Sequence, residues 1–411
     1  MTVSFSLSQE QQQLKKGVRL FAEQLLAPLA SAQRSESDPL ARALLARPVF
    51  EQAVAAGFVK GLIPVPFGGS AGGGVDASIF IEELACHNPD LVISMAGPLI
   101  ALAPVYEVGS SEQIERFVAP FLVDSGAPVA AMAYSEPGGS ANFAAPAPAD
   151  GTRTIAVPDG DHFVINGRKA WASHLAGWDG DGPDVMTIAC RTPGGVSLIV
   201  AEREHLAGHI EVEEHYDLPG LRGCLTSRIA LHDVRVPRTN LLGAEGQGVE
   251  LTRNAFLASG ASIGIFAVAA MRQAFASALE FARTEHRGGP VAIIEHQAVS
   301  DVFADAKGRI EATRLLAWRA MDAVVGQQPN ALELALHSKI FGSETGVDVI
   351  NELIKVVGVQ AYDGHSPIMD QLAHALAYPV IEGSNIGVRR RQLQDLFSAV
   401  DYDPLAASEL S

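Results

Sequence analysis

Apolar residues recur at helical spacing at both ends of this 411-residue chain and at strand-like intervals through its middle. Leu14, Val18, Phe21, Leu25 and Leu26 share one face of a helix and predict one over 10–29. Similar spacing predicts helices over 76–87 and 110–122. Between the first two, Ile63-Pro-Val-Pro-Phe-Gly-Gly-Ser-Ala-Gly-Gly-Gly74 lacks the Lys-Ser/Thr ending of a phosphate loop and reads as a connection.

From 127 to 241 short β-type runs take over, at 154–157, 162–165, 185–189, 196–200, 210–212 and 226–231. Turns such as Pro158-Asp-Gly160 and Asn166-Gly167 separate them, and their even spacing predicts a small barrel or sandwich. Long helical patterns return over 249–283, 295–325 and 331–357. A shorter one follows over 366–377, with Ser366 as N-cap and Pro367 in the first helical position. The stretch 255–270 is dense in Ala, Gly and Ser, which predicts closely approaching helices. The tail from 403 to 411 reads as loose. The chain is thus an α+β protein: an N-terminal helical domain (1–126), a central β-barrel or sandwich (127–241) and a C-terminal four-helix bundle (242–411).

Composition narrows the function. With 48% hydrophobic and 19% charged residues the chain can bury a large core. A net charge of −17 argues against nucleic acid and anionic membrane surfaces as partners. No apolar run is expected to reach the roughly 18 residues that cross a bilayer. The start of the chain is polar and amphipathic, unlike a signal peptide. Cys86, Cys190 and Cys224 are far apart, which fits a reducing, cytoplasmic setting. The 12 histidines form no ligand pattern, so no metal site is read.

The most informative chemistry lies in Tyr378-Pro-Val-Ile-Glu-Gly-Ser-Asn-Ile-Gly-Val-Arg-Arg-Arg391. Glu382, with Val380 and Ile381 beside it, is how a protein builds a general base for a weakly acidic proton. Arg389 is seven residues on, about two helical turns, and looks back toward Glu382. Its planar guanidinium is expected to orient the carboxylate and keep it ionised. The plainer reading is a helix cap with a surface ion pair. Ala133-Tyr-Ser-Glu-Pro-Gly-Gly-Ser140 is a strand entering a turn, able to hydrogen-bond a flat polar ring or a phosphate, or simply a turn. In Ile165-Asn-Gly-Arg-Lys-Ala-Trp-Ala-Ser173, an Asn-Gly hairpin precedes a strand that presents Trp171 and Ser173 on one face by alternation. That tryptophan could equally fill a barrel core.

These motifs, in the order helices, β domain, helices, resemble the acyl-CoA dehydrogenase superfamily of flavoproteins from about Leu7 to Leu396. The resemblance implies FAD as cofactor. It implies flavin contacts from Tyr134, Ser135, Gly139 and Ser140, a shielding Trp171 with Ser173 near N5, and Gly383, Ser384 and Asn385 beside the base. It implies that Arg287, Gln297 and Gly358 reach the FAD of a neighbouring subunit in a homotetramer or homodimer. The segment Val234 to Gly248 resembles the family's hinge.

His286-Arg-Gly-Gly, Ile293-Ile-Glu-His-Gln297, Gly177-Trp-Asp179 and Gly383 to Gln392 resemble the nitroalkane oxidase-like branch. That branch uses an aspartate base with an arginine and a serine, which here match Arg389 and Ser259. Glu382 departs from it and agrees with the dehydrogenases. Leu257 and Gly260 stand where CoA-using members carry Asp and Arg. The catalytic set implied is Glu382, Arg389 and Ser259. The first expectation is α,β-dehydrogenation of an acyl thioester, bound to CoA or a carrier protein. The alternative is oxidation of nitroalkanes to aldehyde and nitrite. A third reading is a flavin-binding subunit without catalysis.

Overall fold

The computed structural model describes residues 6–139, 141–145, 151–363 and 366–405. The first helical pattern folds as Gln9–Phe21, a π turn Ala22–Leu26 and Ala27–Ser35. Ser8 begins it with a reciprocal cap, accepting the Gln11 amide while its own amide donates to the Gln11 side chain. Val18 and Leu26 are buried, and Leu14, Phe21 and Leu25 pack against the same core. The patterns at 76 and 110 become Gly74–Ala85 and Ser111–Val118. Periodicity overlooked Pro39–Leu44, Arg47–Ala55, Pro89–Met95, Gly97–Ala101 and Ala103–Val108. All five are short and carry proline in their first turn, which presets the helical φ without a readable repeat.

The middle of the chain forms one curled sheet of seven strands. They are β1 (Ala130–Ala133), β2 (Ile155–Asp159), β3 (His162–Ser173), β4 (Val185–Thr192), β5 (Gly195–Glu202), β6 (Ile210–His215) and β7 (Thr226–Pro237). The order is β1-β4-β2-β3-β7-β6, with β5 paired to β4. The β2–β3 hairpin turns between Asp159 and His162, with Gly160 at φ +62°. Asn166-Gly167 is not a hairpin turn, contrary to the sequence expectation, because β3 runs straight through it. Opposite it β7 carries an extra residue, and Asp233 at φ +50° exchanges two hydrogen bonds with the Asn166 amide.

Four helices, Gly248–Thr284, Gln297–Val325, Ala331–Val357 and Pro367–Ala377, make up most of the C-terminal part. The small-residue stretch does what its composition predicts: a Cβ on Gly342 would lie 2.7 Å from the Gly264 Cα, so two helices touch backbone to backbone. Pro367 opens its helix as expected, although the Ser366 hydroxyl makes no cap bond. Two stretches, Pro89–Val108 and Gly248–Thr284, are long and apolar enough to cross a membrane, which corrects the expectation of none. The second is a core helix, with 72% of its apolar window buried against its neighbours.

Buried charge ties the N-terminal helices to the C-terminal ones. Glu82 is 1% exposed and its carboxylate accepts from Arg272 (2.6 Å), from Arg314 and from the Trp318 indole (3.0 Å). Both of its oxygens are engaged, as a buried carboxylate requires.

Candidate active site

Glu382 sits on a tight loop that leaves the 367–377 helix. The Asn385 amide donates to the Pro379 carbonyl at 2.9 Å and closes the loop. This closure drives Glu382 to φ +50° and Gly383 to φ +78°. A left-handed glutamate costs roughly 1–2 kcal/mol, so surrounding bonds must hold it there. Gly383 is required twice over, because a Cβ would also lie 2.8 Å from Arg389 Nε.

Arg389 closes a π turn, Asn385–Arg389, whose first amide bond goes from Gly387 to the Ser384 hydroxyl at 3.5 Å. The guanidinium is buried. Nε (3.0 Å) and Nη2 (2.7 Å) donate to the Glu382 carbonyl, Nη2 also to the Phe256 carbonyl (2.9 Å), and Nη1 to Gln392 Oε1 (2.9 Å). The expected guanidinium–carboxylate contact is therefore corrected: Arg389 grips the peptide of Glu382 and leaves its side chain alone. Burial pulls the guanidinium below its usual pKa range, and the Glu382 charge opposes that pull. Glu382 itself is half-buried, with Oε2 shielded from solvent and without a hydrogen-bond partner.

The 248–284 helix forms the facing wall. Arg389 caps the Phe256 carbonyl, and a Cβ on Gly260 would lie 2.9 Å from Nη2. Between them stands Ser259, whose buried hydroxyl has no partner. Tyr134 packs edge-on to Phe256 (5.4 Å between ring centres). Through Arg389, Glu382 and Gly383 thus meet the helix segment that carries Phe256, Ser259 and Gly260, on which Tyr134 packs.

The two flavin-type motifs lie side by side, joined by residues that sequence reasoning passed over. Ser135 O accepts the Ala170 amide at 3.0 Å. Glu136 accepts from the fully buried Lys169 (2.9 Å) and from the Thr154 amide (3.0 Å) and hydroxyl (2.7 Å). Both residues stand inside the quoted motifs, and the available signal was a charge at an inward strand position for Lys169 and a carboxylate in the turn after β1 for Glu136. The expected alternation of Trp171 and Ser173 is also corrected. β3 carries an extra residue between Lys169 and Ala172, and Trp171 takes φ +67° in that bulge. Its ring stacks on Tyr216 at 4.1 Å and stays 55% exposed. Ser173 ends β3 opposite Thr226 of β7. Gly139 turns at φ +92°, and Ser140 lies outside the described residues.

Asn385 is a correction of another kind. It is 2% exposed, with its amide nitrogen on Ser343 Oγ (3.0 Å) and Glu344 (3.1 Å) and its oxygen on Lys339 (3.0 Å). No polar atom of that side chain is left for a cofactor. Arg287, at φ +49°, donates to the Val357 carbonyl and touches Gly358. A groove of about 320 Å³ beside that turn is lined by Phe281, Val357, Gln360 and Asp363. Gln297 is exposed and donates to Asp301 at 2.7 Å. Glu202, Glu204 and His205 cluster as metal ligands might, but Arg116 pairs with Glu202 (3.2 Å) and the His205 Nδ1 accepts the Glu202 amide (3.2 Å).

A flat redox ring needs an open aromatic wall and unengaged hydrogen-bonding groups. The exposed face of Trp171 and the orphaned oxygens of Ser259 and Glu382 fit that need. Two family profiles match the chain: acyl-CoA dehydrogenase, N-terminal domain, over residues 8–123, and acyl-CoA dehydrogenase, C-terminal domain, over 246–395. A nitroalkane oxidase from Podospora anserina is 36% identical, covering 98% of both chains. One from Fusarium oxysporum is 32% identical, covering 99% of this chain and 97% of its own. The solved Podospora anserina structure superposes with a TM-score of 0.94 over 99% of this chain and 100% of its own. This chain belongs to the acyl-CoA dehydrogenase family of FAD-dependent oxidoreductases.

Proposed function

We propose that this protein is a flavin-dependent nitroalkane oxidase, with Glu382 as its base. One observation carries the reading: a glutamate held in left-handed backbone by a buried arginine, with one shielded carboxylate oxygen that no protein group uses. Such a group is poised to accept a proton. The α-proton of a nitroalkane is acidic enough for a carboxylate to remove and leaves a carbanion stabilised by the nitro group. Full-length similarity to two nitroalkane oxidases favours this substrate over the thioester first expected.

Glu382 Oε2 takes the α-proton. The Ser259 hydroxyl, on the facing helix, supplies an unengaged donor to substrate or cofactor. Arg389 keeps the Glu382 peptide from relaxing, so the carboxylate reaches one point in space. Bound FAD supplies the oxidising power, and dioxygen accepts the electrons. Overall a primary nitroalkane, dioxygen and water give an aldehyde, nitrite and hydrogen peroxide.

The glutamate is the specific observation in favour of a thioester substrate. Against it, position 260 is a glycine, and a Cβ there would lie 2.9 Å from Arg389 Nη2, so a longer side chain would enter only by displacing the guanidinium that grips Glu382. The resemblance of Arg287, Gln297 and Gly358 to the family's residues that reach a neighbouring subunit's FAD supports a cofactor shared in a homodimer or homotetramer, which light scattering of the yellow protein checks; Arg287 and the Gly358 turn do lie together.

The deciding experiment gives the air-saturated enzyme a primary nitroalkane or an acyl thioester. Oxygen uptake with stoichiometric nitrite from the nitroalkane is expected. Flavin bleaching by the thioester alone would restore the dehydrogenase reading.

A further inference from the structure

Glu382 is held by more than Arg389. Lys339, in the middle of the 331–357 helix, has no solvent exposure, and its ammonium donates to the Tyr378 carbonyl and to Asn385 Oδ1 at 3.0 Å. Tyr378 begins the base loop and Asn385 ends it, so one cation ties both ends. The same helix adds two acceptors one turn on: Asn385 Nδ2 donates to Ser343 Oγ (3.0 Å) and Glu344 Oε1 (3.1 Å). Glu344 in turn takes Arg390 at 2.8 Å, beyond the π turn.

A buried ammonium is expensive. Leu336, Ile340 and Val349 of the same helix are buried apolar residues, as a core face should be. Desolvation above all, helped by the Arg389 charge, pulls Lys339 down to about 7 against the opposing charges of Glu382 and Glu344. Methionine of similar length would fill the site without that cost. The lysine is placed where only a hydrogen-bonding cation can bridge two segments whose closure forces Glu382 into left-handed backbone.

We infer that Lys339 is a positioning residue for the base: through Tyr378 and Asn385 it fixes the loop geometry that aims the Glu382 carboxylate. It touches neither substrate nor cofactor. The inference rests on the nitroalkane reading and deepens it by naming what holds the base in place.

A substrate that has already lost its proton separates aiming of the base from general structure. Lys339→Met holoenzyme is mixed anaerobically with nitroethane and, separately, with its preformed anion, ethyl nitronate. Flavin reduction by nitroethane should slow by up to about 10²-fold, because a base misplaced by about 1 Å loses that much. Reduction by the nitronate, which needs no base, should stay at the wild-type rate. Equal slowing with both substrates, or no slowing with either, overturns the inference. If Lys339→Met does not retain FAD, Ser343→Ala removes one tie and leaves the cation. It should show a smaller loss confined to nitroethane, and a loss shared by both substrates overturns the inference. A wild-type enzyme reduced by neither compound overturns the nitroalkane reading itself, and this inference with it.

Discussion

Glu82 and Glu382 are both glutamates with arginines from neighbouring segments around them, and they end in opposite states. At Glu82 two arginines and an indole take the carboxylate, and no oxygen is left over. At Glu382 the arginine takes the peptide carbonyl, and a shielded carboxylate oxygen remains unpartnered. Glu382 also carries a left-handed backbone, while Glu82 lies within the regular helix Gly74–Ala85. The first arrangement satisfies charge and builds stability. The second keeps charge unsatisfied and stores strain, which persists only where its surroundings enforce it. Which oxygen the arginine grips separates a structural carboxylate from a reactive one.

The comparison breaks most visibly at Glu382. Glu382→Gln is nearly isosteric and should keep fold and yellow colour while flavin reduction by a nitroalkane falls at least ~10²-fold. Stopped-flow absorbance reads this, and near-normal rates would move the base elsewhere. Glu82→Gln should do the reverse. It leaves Arg272 and Arg314 facing a neutral amide and should cost about 3 kcal/mol in urea unfolding, with the reduction rate unchanged.

His174 asks whether an orphaned polar group alone marks function. It is 1% exposed, sits at φ +57°, and neither ring nitrogen has a partner. Burial pushes its pKa from 6.5 to about 4. The folded pKa is depressed, so the unfolded state binds the proton first and stability falls as pH drops below the unfolded value. Between pH 7 and pH 5 the loss from this group should be about 2 kcal/mol. Denaturant unfolding of wild type against His174→Asn measures it, and identical pH slopes would refute it. The smallest expected effect is at Arg389. Arg389→Lys keeps a cation but loses the planar fork that holds the Glu382 carbonyl through two nitrogens, so reduction should slow about tenfold with little change in Tm. A variant that unfolds instead would make Arg389 a structural residue like Arg272.

Much of this was legible from residue order. Strand starts at 155, 162, 185, 195, 210 and 226 follow the short β-type runs, since β4 and β5 are buried on both faces and read as continuous apolar runs between turn residues. The 331–357 helix appears with the bounds its periodicity predicts. Glu382 and Arg389 were singled out and do meet, with the guanidinium also on the Phe256 carbonyl of the helix that carries Ser259. Their bonding was not legible. Spacing tells which residues share a face, but the choice between carbonyl and carboxylate depends on a φ of +50° that glutamate seldom adopts. Bulges hid in the same way. One extra residue in β3 turns Trp171 out of the alternation, and no local composition announces it. Asn385 was read as a cofactor ligand because it follows Glu-Gly-Ser, whereas its partners lie some 40 residues away in sequence on another helix. Lys339 did leave a trace, a lysine at a core position of its helix.

The central claim is that the free oxygen of Glu382 removes the α-proton of a nitroalkane. Anaerobic flavin reduction of the wild-type enzyme by nitroethane, compared with nitroethane deuterated at the α-carbon, tests it directly. The account predicts bleaching with both and a slower rate with the deuterated compound. Equal rates, or a flavin that nitroethane does not reduce at all, would contradict it.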